Sequence, residues 1–163
     1  MIPLSAADLD EVAALYGDPE VMRFVVDGVM DRSTTAVALD DVTESWRRHG
    51  YGLWAIRDAT TGAFLGEGGL QRAPPLEGVD VDVEVEFGYT FCRRSWGRGI
   101  ATEAGTAMLR DAWVRCDGPE IHALATSDNL ASHAVLRRLG FTRVARFVHH
   151  GRPHQLWAAE RGG

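Results

Sequence analysis

The sequence predicts a mixed α/β domain built around one sheet. Three observations predict it. Apolar residues recur at helical spacing up to Gly50, then alternate as strands do from Leu53 onward. The elements then run as three strands, strand–turn–helix, strand–helix and two final strands, an order that fits one sheet with helices packed on it. The chain has 163 residues, 45% hydrophobic and 25% charged, enough to bury a core as a single domain over 1–163 and too apolar for extensive disorder.

Ser5-Ala-Ala-Asp8 reads as a helix start, with Ser5 as cap and Asp8 and Asp10 near the positive end of the helix dipole. Leu9, Val12, Ala13 and Tyr16 follow at helical spacing. Gly17-Asp18-Pro19 breaks that helix, and Pro19 suits the first turn of a short second one through Phe24. Val25–Arg32 reads as a loop, and a third helix runs from Ser33 or Thr34 to about His49, ended by Gly50. Leu53–Ile56 and Ala63–Gln71 form a hairpin about the turn Asp58–Gly62. Arg72–Asp80, with Pro74, Pro75 and Gly78, is a loop. Val81–Phe91 alternates: Val81, Val83, Val85, Phe87, Tyr89 and Phe91 take one face, and Asp82, Glu84, Glu86, Gly88 and Thr90 the other. After the turn Cys92–Arg98 comes a helix from Gly99 to about Arg115. Glu120–Thr126 is a strand and Asn129–Leu139 a helix stopped by Gly140. Phe141–His149 and His154–Ala159 are strands around His150-Gly151-Arg152-Pro153.

Charge and cysteine usage narrow the function classes. The net charge of −6 argues against nucleic acid as a partner, which calls for a basic excess or a clustered basic face. All 17 basic residues are Arg, which reads mainly as a codon bias, although the planar guanidinium also suits phosphate. Cys92 and Cys116 show neither metal-ligand nor CxxC spacing, and reduced cytoplasmic thiols are the expectation. No apolar run is long enough to span a bilayer, and the first residues do not read as a signal peptide. Histidines 122, 149, 150 and 154 lack a fourth ligand, so no metal is assigned to them.

The chemistry points to Trp96-Gly97-Arg98-Gly99-Ile100-Ala101-Thr102, which follows the strongest strand and opens a helix. Glycines let a ligand approach the backbone, and the first amides of a helix have no internal partners and favour negative charge. A diphosphate is the natural occupant; a tight turn without ligand is the plainer reading. No G-x-x-x-x-G-K-[ST] string occurs, which removes the P-loop nucleotide enzymes. The dinucleotide fingerprint fits Gly97 and Gly99 but meets Thr102 where its third glycine should stand.

A third phosphate-binding turn, R/Q-x-x-G-x-G/A, belongs to the GNAT acetyltransferase superfamily; Gly99 and Ala101 match it, and Trp96 stands where that family most often has Arg or Gln. Ser95–Ala104 resembles the branch that contains the ribosomal-protein N-terminal acetyltransferases, which commonly reads W-G-[KR]-G-x-A-T-E-A. The resemblance extends through Asp18-Pro19-Glu20-Val21-Met22-Arg23, Glu86-Phe87-Gly88-Tyr89, and Asn129-Leu130-Ala131-Ser132 followed by Val135–Phe141, all in the branch's order. Two departures stand out. Only Met1–Leu4 remains of the family's first strand, so that strand is very short or the chain begins inside it. Arg93 replaces a proline frequent before the loop.

The resemblance implies a mostly antiparallel, twisted sheet of six or seven strands with a splayed pair, flanked by about four helices. It also implies acetyl-CoA as co-substrate and direct attack by a primary amine. Amides of Gly97, Arg98, Gly99, Ile100, Ala101 and Thr102 would hold the pyrophosphate, and Phe91, Cys92 and Asn129 the pantetheine arm. Arg138, with Arg137, would reach the 3′-phosphate end. Glu86 is the expected base, sharing its face with Glu84, since crowded carboxylates raise one another's pKa. Ser132 is the expected acid, because the Tyr that many members carry is Leu136 here. The acceptor is expected to be a protein N-terminal α-amine, with a small amine or antibiotic, or a catalytically silent acyl-CoA-binding domain, as alternatives. A cytoplasmic monomer or homodimer without membrane partners completes the expectation.

Overall fold

The computed structural model describes residues 1–162 except 74, 75, 77 and 78. Its elements, in chain order, are β1 (Ile2–Pro3), α1 (Leu9–Tyr16), α2 (Pro19–Met22), α3 (Arg32–His49), β2 (Leu53–Arg57), β3 (Phe64–Arg72), β4 (Val85–Phe91), α4 (Ile100–Arg115), β5 (Glu120–Thr126), α5 (Leu130–Arg138), β6 (Thr142–His149) and β7 (Arg152–Glu160). The seven strands form one sheet in the order β1-β2-β3-β4-β5-β7-β6. Every pairing is antiparallel except β4 with β5, which run parallel and share a single register pair, Glu86 with His122. Beyond that pair the two strands part. The expected splay is therefore present at the centre of the sheet, and the parallel connection between its arms is made by α4, as a crossover requires.

Each face of the sheet buries its own core. Leu70, Phe87, Phe91, Met108, Leu136, Phe141 and Trp157 pack under α4 and α5. Leu4, Val12, Leu15, Met22, Leu39 and Phe64 pack under α1, α2 and α3. Because strand side chains alternate, Phe87 and Phe91 on the α4 side put Glu86, Gly88 and Thr90 on the other. Helix starts follow local chemistry. Ser5 and Asp8 form a capping box at a 3₁₀ turn leading into α1, Asp18 caps α2 ahead of Pro19, and Asp31 caps α3. The α3 helix stops at Gly50, whose φ of 71° is left-handed.

Several boundaries differ from the sequence reading. The strand expected over Val81–Phe91 begins only at Val85, opposite Arg72 where β3 ends; a single further backbone bond, from the Ala73 amide to the Glu84 carbonyl at 3.0 Å, follows it. Val81, Val83 and Glu84 thus lie outside the ladder. The second helix ends at Met22 and the third starts at Arg32, one residue after its cap. The final hairpin turns on His150 and Gly151 alone, both at positive φ, so β7 already contains Arg152 and Pro153. The loop read over Arg72–Asp80 loses Arg72 to β3, and its Pro74, Pro75 and Gly78 lie outside the described residues. Among the described residues, no helix is long and apolar enough to cross a membrane.

Candidate active site

The turn after β4 is fixed from three sides. Arg93–Ser95 form one 3₁₀ turn, which answers how the chain passes Arg93 without the proline. The buried Ser95 hydroxyl donates to the Leu65 carbonyl at 3.0 Å, and Arg93 pairs with Asp18 at 2.8 Å. Trp96, although 49% exposed, donates its indole N–H to the Phe91 carbonyl at 2.9 Å. The tryptophan that departs from the common motif thus ties the loop back to the end of its own strand.

Gly97 and Gly99 have φ of 69° and 78°, where a side chain is strained, and each faces open space where its Cβ would be. Gly99 is the N-cap of α4 and gives it no side-chain cap, whereas Asp18, Asp31 and Asn129 cap the helices they precede. The first amides of α4 are therefore left for an outside acceptor, and a diphosphate meets both their hydrogen bonds and the dipole. Arg98 is exposed beside them, its guanidinium 3.4 Å from the Arg94 carbonyl. Gly99→Ala is expected to weaken acetyl-CoA binding about tenfold, since forcing alanine into this conformation costs about 1–2 kcal/mol. Calorimetric titration with CoA measures it, and an unchanged Kd would remove the turn from the binding site.

The splay supplies a second backbone surface. The Cys92 amide donates to the Leu65 carbonyl at 2.9 Å, and its carbonyl accepts from Ser95 at 2.8 Å, so both its backbone groups are engaged within the protein. Because backbone groups alternate sides along a strand, the peptide groups of Tyr89 and Phe91 face the gap toward β5. Of Phe91 and Cys92, both expected to meet pantetheine, Phe91 faces the gap. The Cys92 side chain packs against the α1–α3 core, and burial pushes its thiol pKa up.

Glu86 sits at the fork of the splay. Its carboxyl accepts from Gln71 Nε2 at 3.1 Å and lies near the Leu124 amide of β5, a group that a continuing parallel ladder would have used and that favours the ionised carboxyl. Burial raises its pKa to about 7 against the opposing effect of those two groups. The cause is desolvation; Glu84, expected to crowd it, is exposed ahead of β4. A second acid on the same face was not singled out in the sequence. Glu67 of β3, opposite Thr90 in register, is only 3% exposed. Burial lifts its pKa to about 7, and the hydroxyls of Thr90 and Tyr16 hydrogen-bond to it. Its signal was weak because the surrounding Phe64–Leu70 run reads as a plain buried strand.

On the opposite face, Asn129 caps α5 by accepting from the Ser132 amide at 3.1 Å. The Ser132 hydroxyl lies 3.0 Å from the hydroxyl of Tyr89, which the alternation had assigned to the apolar row of β4. Burial raises the Tyr89 pKa to about 12, so the phenol stays protonated. Ile100 and Ala101 open α4, and Thr102 closes its first turn by donating to the Gly99 carbonyl at 3.0 Å. Arg138 is exposed on the last turn of α5, while the Arg137 guanidinium stands 5.3 Å over the Trp157 ring. Arg152 of the last hairpin donates to the Arg23 carbonyl at 3.0 Å and lies 4.0 Å from Asp128, tying that hairpin to α2 and to the β5–α5 loop. Among the described residues, no group of three His, Cys, Asp or Glu is placed to hold a metal ion.

Comparison with known proteins bears on the same features. The sequence profile of the acetyltransferase (GNAT) domain matches residues 1–142. An uncharacterized protein of Bacillus subtilis, YkkB, is 31% identical over 126 residues, covering 77% of this chain and 70% of its own. The FsC-acetyl coenzyme A-N(2)-transacetylase of Aspergillus fumigatus is 26% identical over 155 residues, covering 90% of this chain, which spans 63% of that protein's length. Among solved structures, RimL, a ribosomal-protein α-N-acetyltransferase in complex with coenzyme A, superposes with a TM-score of 0.74 at 18% identity, covering 98% and 97% of the two chains. The spermidine N-acetyltransferase of Vibrio cholerae, in complex with CoA and spermine, gives 0.70 at 14%, covering 97% and 92%.

Proposed function

We propose that this chain, which belongs to the GNAT acetyltransferase family and is an acetyl-CoA-dependent N-acetyltransferase, takes the α-amine of a protein N-terminus as its acceptor. The observation that carries the reading is the carboxyl of Glu86, at the fork of the splay with a pKa near 7. A base of that strength is matched to an α-ammonium, whose pKa is about 8, and lies more than three pH units below a lysine- or polyamine-type ammonium near 10.4. RimL, a ribosomal-protein α-N-acetyltransferase, has the same fold.

Acetyl-CoA supplies the thioester carbon that the amine attacks. Gly97, Arg98, Gly99, Ile100 and Ala101 hold its pyrophosphate through their backbone, while Thr102, whose amide donates to the Gly99 carbonyl, closes the turn behind them. The Phe91 amide, with Asn129, lines the pantetheine path, and Arg138 serves the 3′-phosphate end. Glu86 takes the proton from the incoming ammonium, and the neutral amine attacks. As the carbon–sulfur bond breaks, Ser132 gives its hydroxyl proton to the departing sulfur and the proton shed by the newly acetylated nitrogen replaces it, with Tyr89 holding the hydroxyl in place. We place this reaction in the cytoplasm, in a monomer or homodimer.

Thiol release from acetyl-CoA, measured with N-terminal peptides and with spermidine as acceptors, tests the reading. Peptides are expected to give the higher kcat/KM by about tenfold or more at pH 7, and a preference for spermidine would overturn the acceptor assignment.

A further inference from the structure

The proton that Glu86 accepts must return to solvent in each turnover. Its register partner on β5 is His122, which is 7% exposed and faces the same side of the sheet. Adjacent strands lie about 4.8 Å apart, and the Glu86 carboxyl leans toward β5, where it lies near the Leu124 amide two residues beyond His122. The His122 Nε2 atom is fully buried and makes no well-formed hydrogen bond. It lies 3.4 Å from a carboxylate oxygen of Glu120, whose side chain is 42% exposed. Glu86, His122 and Glu120 thus follow one another along a single face from the fork of the splay to solvent. The charged groups facing His122 are acidic: Glu86 on β4, Glu120 on its own strand, and Glu160, the partner of Glu120 on β7. Burial keeps the ring neutral against the pull of Glu120, so it is free to accept a proton.

We infer that His122 relays the proton from Glu86 to Glu120 and out to water, an inference that rests on Glu86 being the base. The relay calls for one bridging water between Glu86 and the ring. Each turnover moves one proton: the Glu86 O–H bond breaks, one ring nitrogen gains a proton, and Nε2 releases its own to the Glu120 carboxylate, which passes it to solvent. A ring flip or exchange with water then restores the tautomer. No other group is consumed. His122 acts through Glu86 and does not touch the acetyl group.

The test compares wild type, His122→Gln, Glu120→Gln and Glu86→Gln, each assayed with whichever of spermidine or an N-terminal serine hexapeptide the wild type acetylates faster. In dilute buffer, His122→Gln is expected to lower kcat about tenfold, to leave the acetyl-CoA KM unchanged, and to regain most of the loss with added imidazole. Glu120→Gln, at an exposed position that tolerates substitution, should show a smaller loss with the same rescue. Wild-type kcat in both variants, or a loss that imidazole does not restore, overturns the relay. If Glu86→Gln alone is slow, only the relay fails; if Glu86→Gln is fully active, the base assignment fails with it.

Discussion

Replacing Glu86 with glutamine is expected to lower kcat at least 100-fold while leaving CoA binding within twofold, because general-base catalysis contributes about 10²–10⁴ in rate. The substitution keeps the shape of the side chain and an oxygen to accept from Gln71 beside the Leu124 amide, so a loss reports chemistry more than folding. The pH profile is the sharper readout. Burial raises the Glu86 pKa to about 7, so the ionised, proton-accepting form is the minority below that pH and the majority above it. Wild-type kcat/KM should rise with pH through a midpoint near 7. The variant should lose that limb and keep only the ionisation of the acceptor amine. Ser132→Ala gives the contrast: about tenfold slower, because it acts on the leaving sulfur, with the limb near pH 7 intact. A wild-type limb unchanged in Glu86→Gln would move the base elsewhere on the face, with Glu67 next in order.

Much of this arrangement was legible because the signals were local. Caps, glycine stops and the alternation of β4 depend on neighbours in sequence, and Ser5, Gly50 and Asn129 act where the sequence puts them. The phosphate turn is equally local, since Gly97, Gly99 and an uncapped helix start are contiguous. What escaped depends on strand partners far apart in the chain. Tyr89 looked apolar by alternation, yet its ring packs in the core while its hydroxyl reaches Ser132, forty-three residues on. The Cys92 amide belongs to Leu65, which only the β3–β4 register reveals. The raised pKa of Glu86 was expected from crowding with Glu84 and arises from burial instead, because the ladder stops at Val85 and leaves Glu84 in solvent. Glu67 gave only a weak signal: a single acid in a buried strand looks like an interruption until Tyr16 and Thr90 are seen to converge on it.

That same Glu67 gives the largest expected effect on stability. It is 3% exposed between α1 and the sheet, and burial raises its pKa from 4.5 to about 7, outweighing the hydroxyls of Thr90 and Tyr16, which favour the ionised form. A carboxyl whose pKa is higher in the folded than in the unfolded chain binds its proton more tightly when folded. Its contribution is fully present below about pH 4.5, is lost progressively between 4.5 and 7, and stays lost above. At about 1.4 kcal/mol per pH unit, that displacement amounts to about 3 kcal/mol. Glu67→Gln removes the titration while keeping an acceptor for both hydroxyls. The stability difference between variant and wild type should therefore shift by about 3 kcal/mol in the variant's favour from pH 4 to pH 8, equivalent to roughly 6–12 °C in Tm for a chain of this size. Urea unfolding of both proteins across that range measures it, and a difference that stays flat with pH would mean that Glu67 is ionised at no cost in the folded state. Glu67 shares its face with Glu86 and neighbours Thr90, one residue before Phe91. A carboxylate held there against desolvation also adds negative potential to the side from which a cationic amine would approach. Stability gained in Glu67→Gln should then come with a higher KM for the acceptor and an unchanged KM for acetyl-CoA. This split places the strained charge on the acceptor side of the sheet.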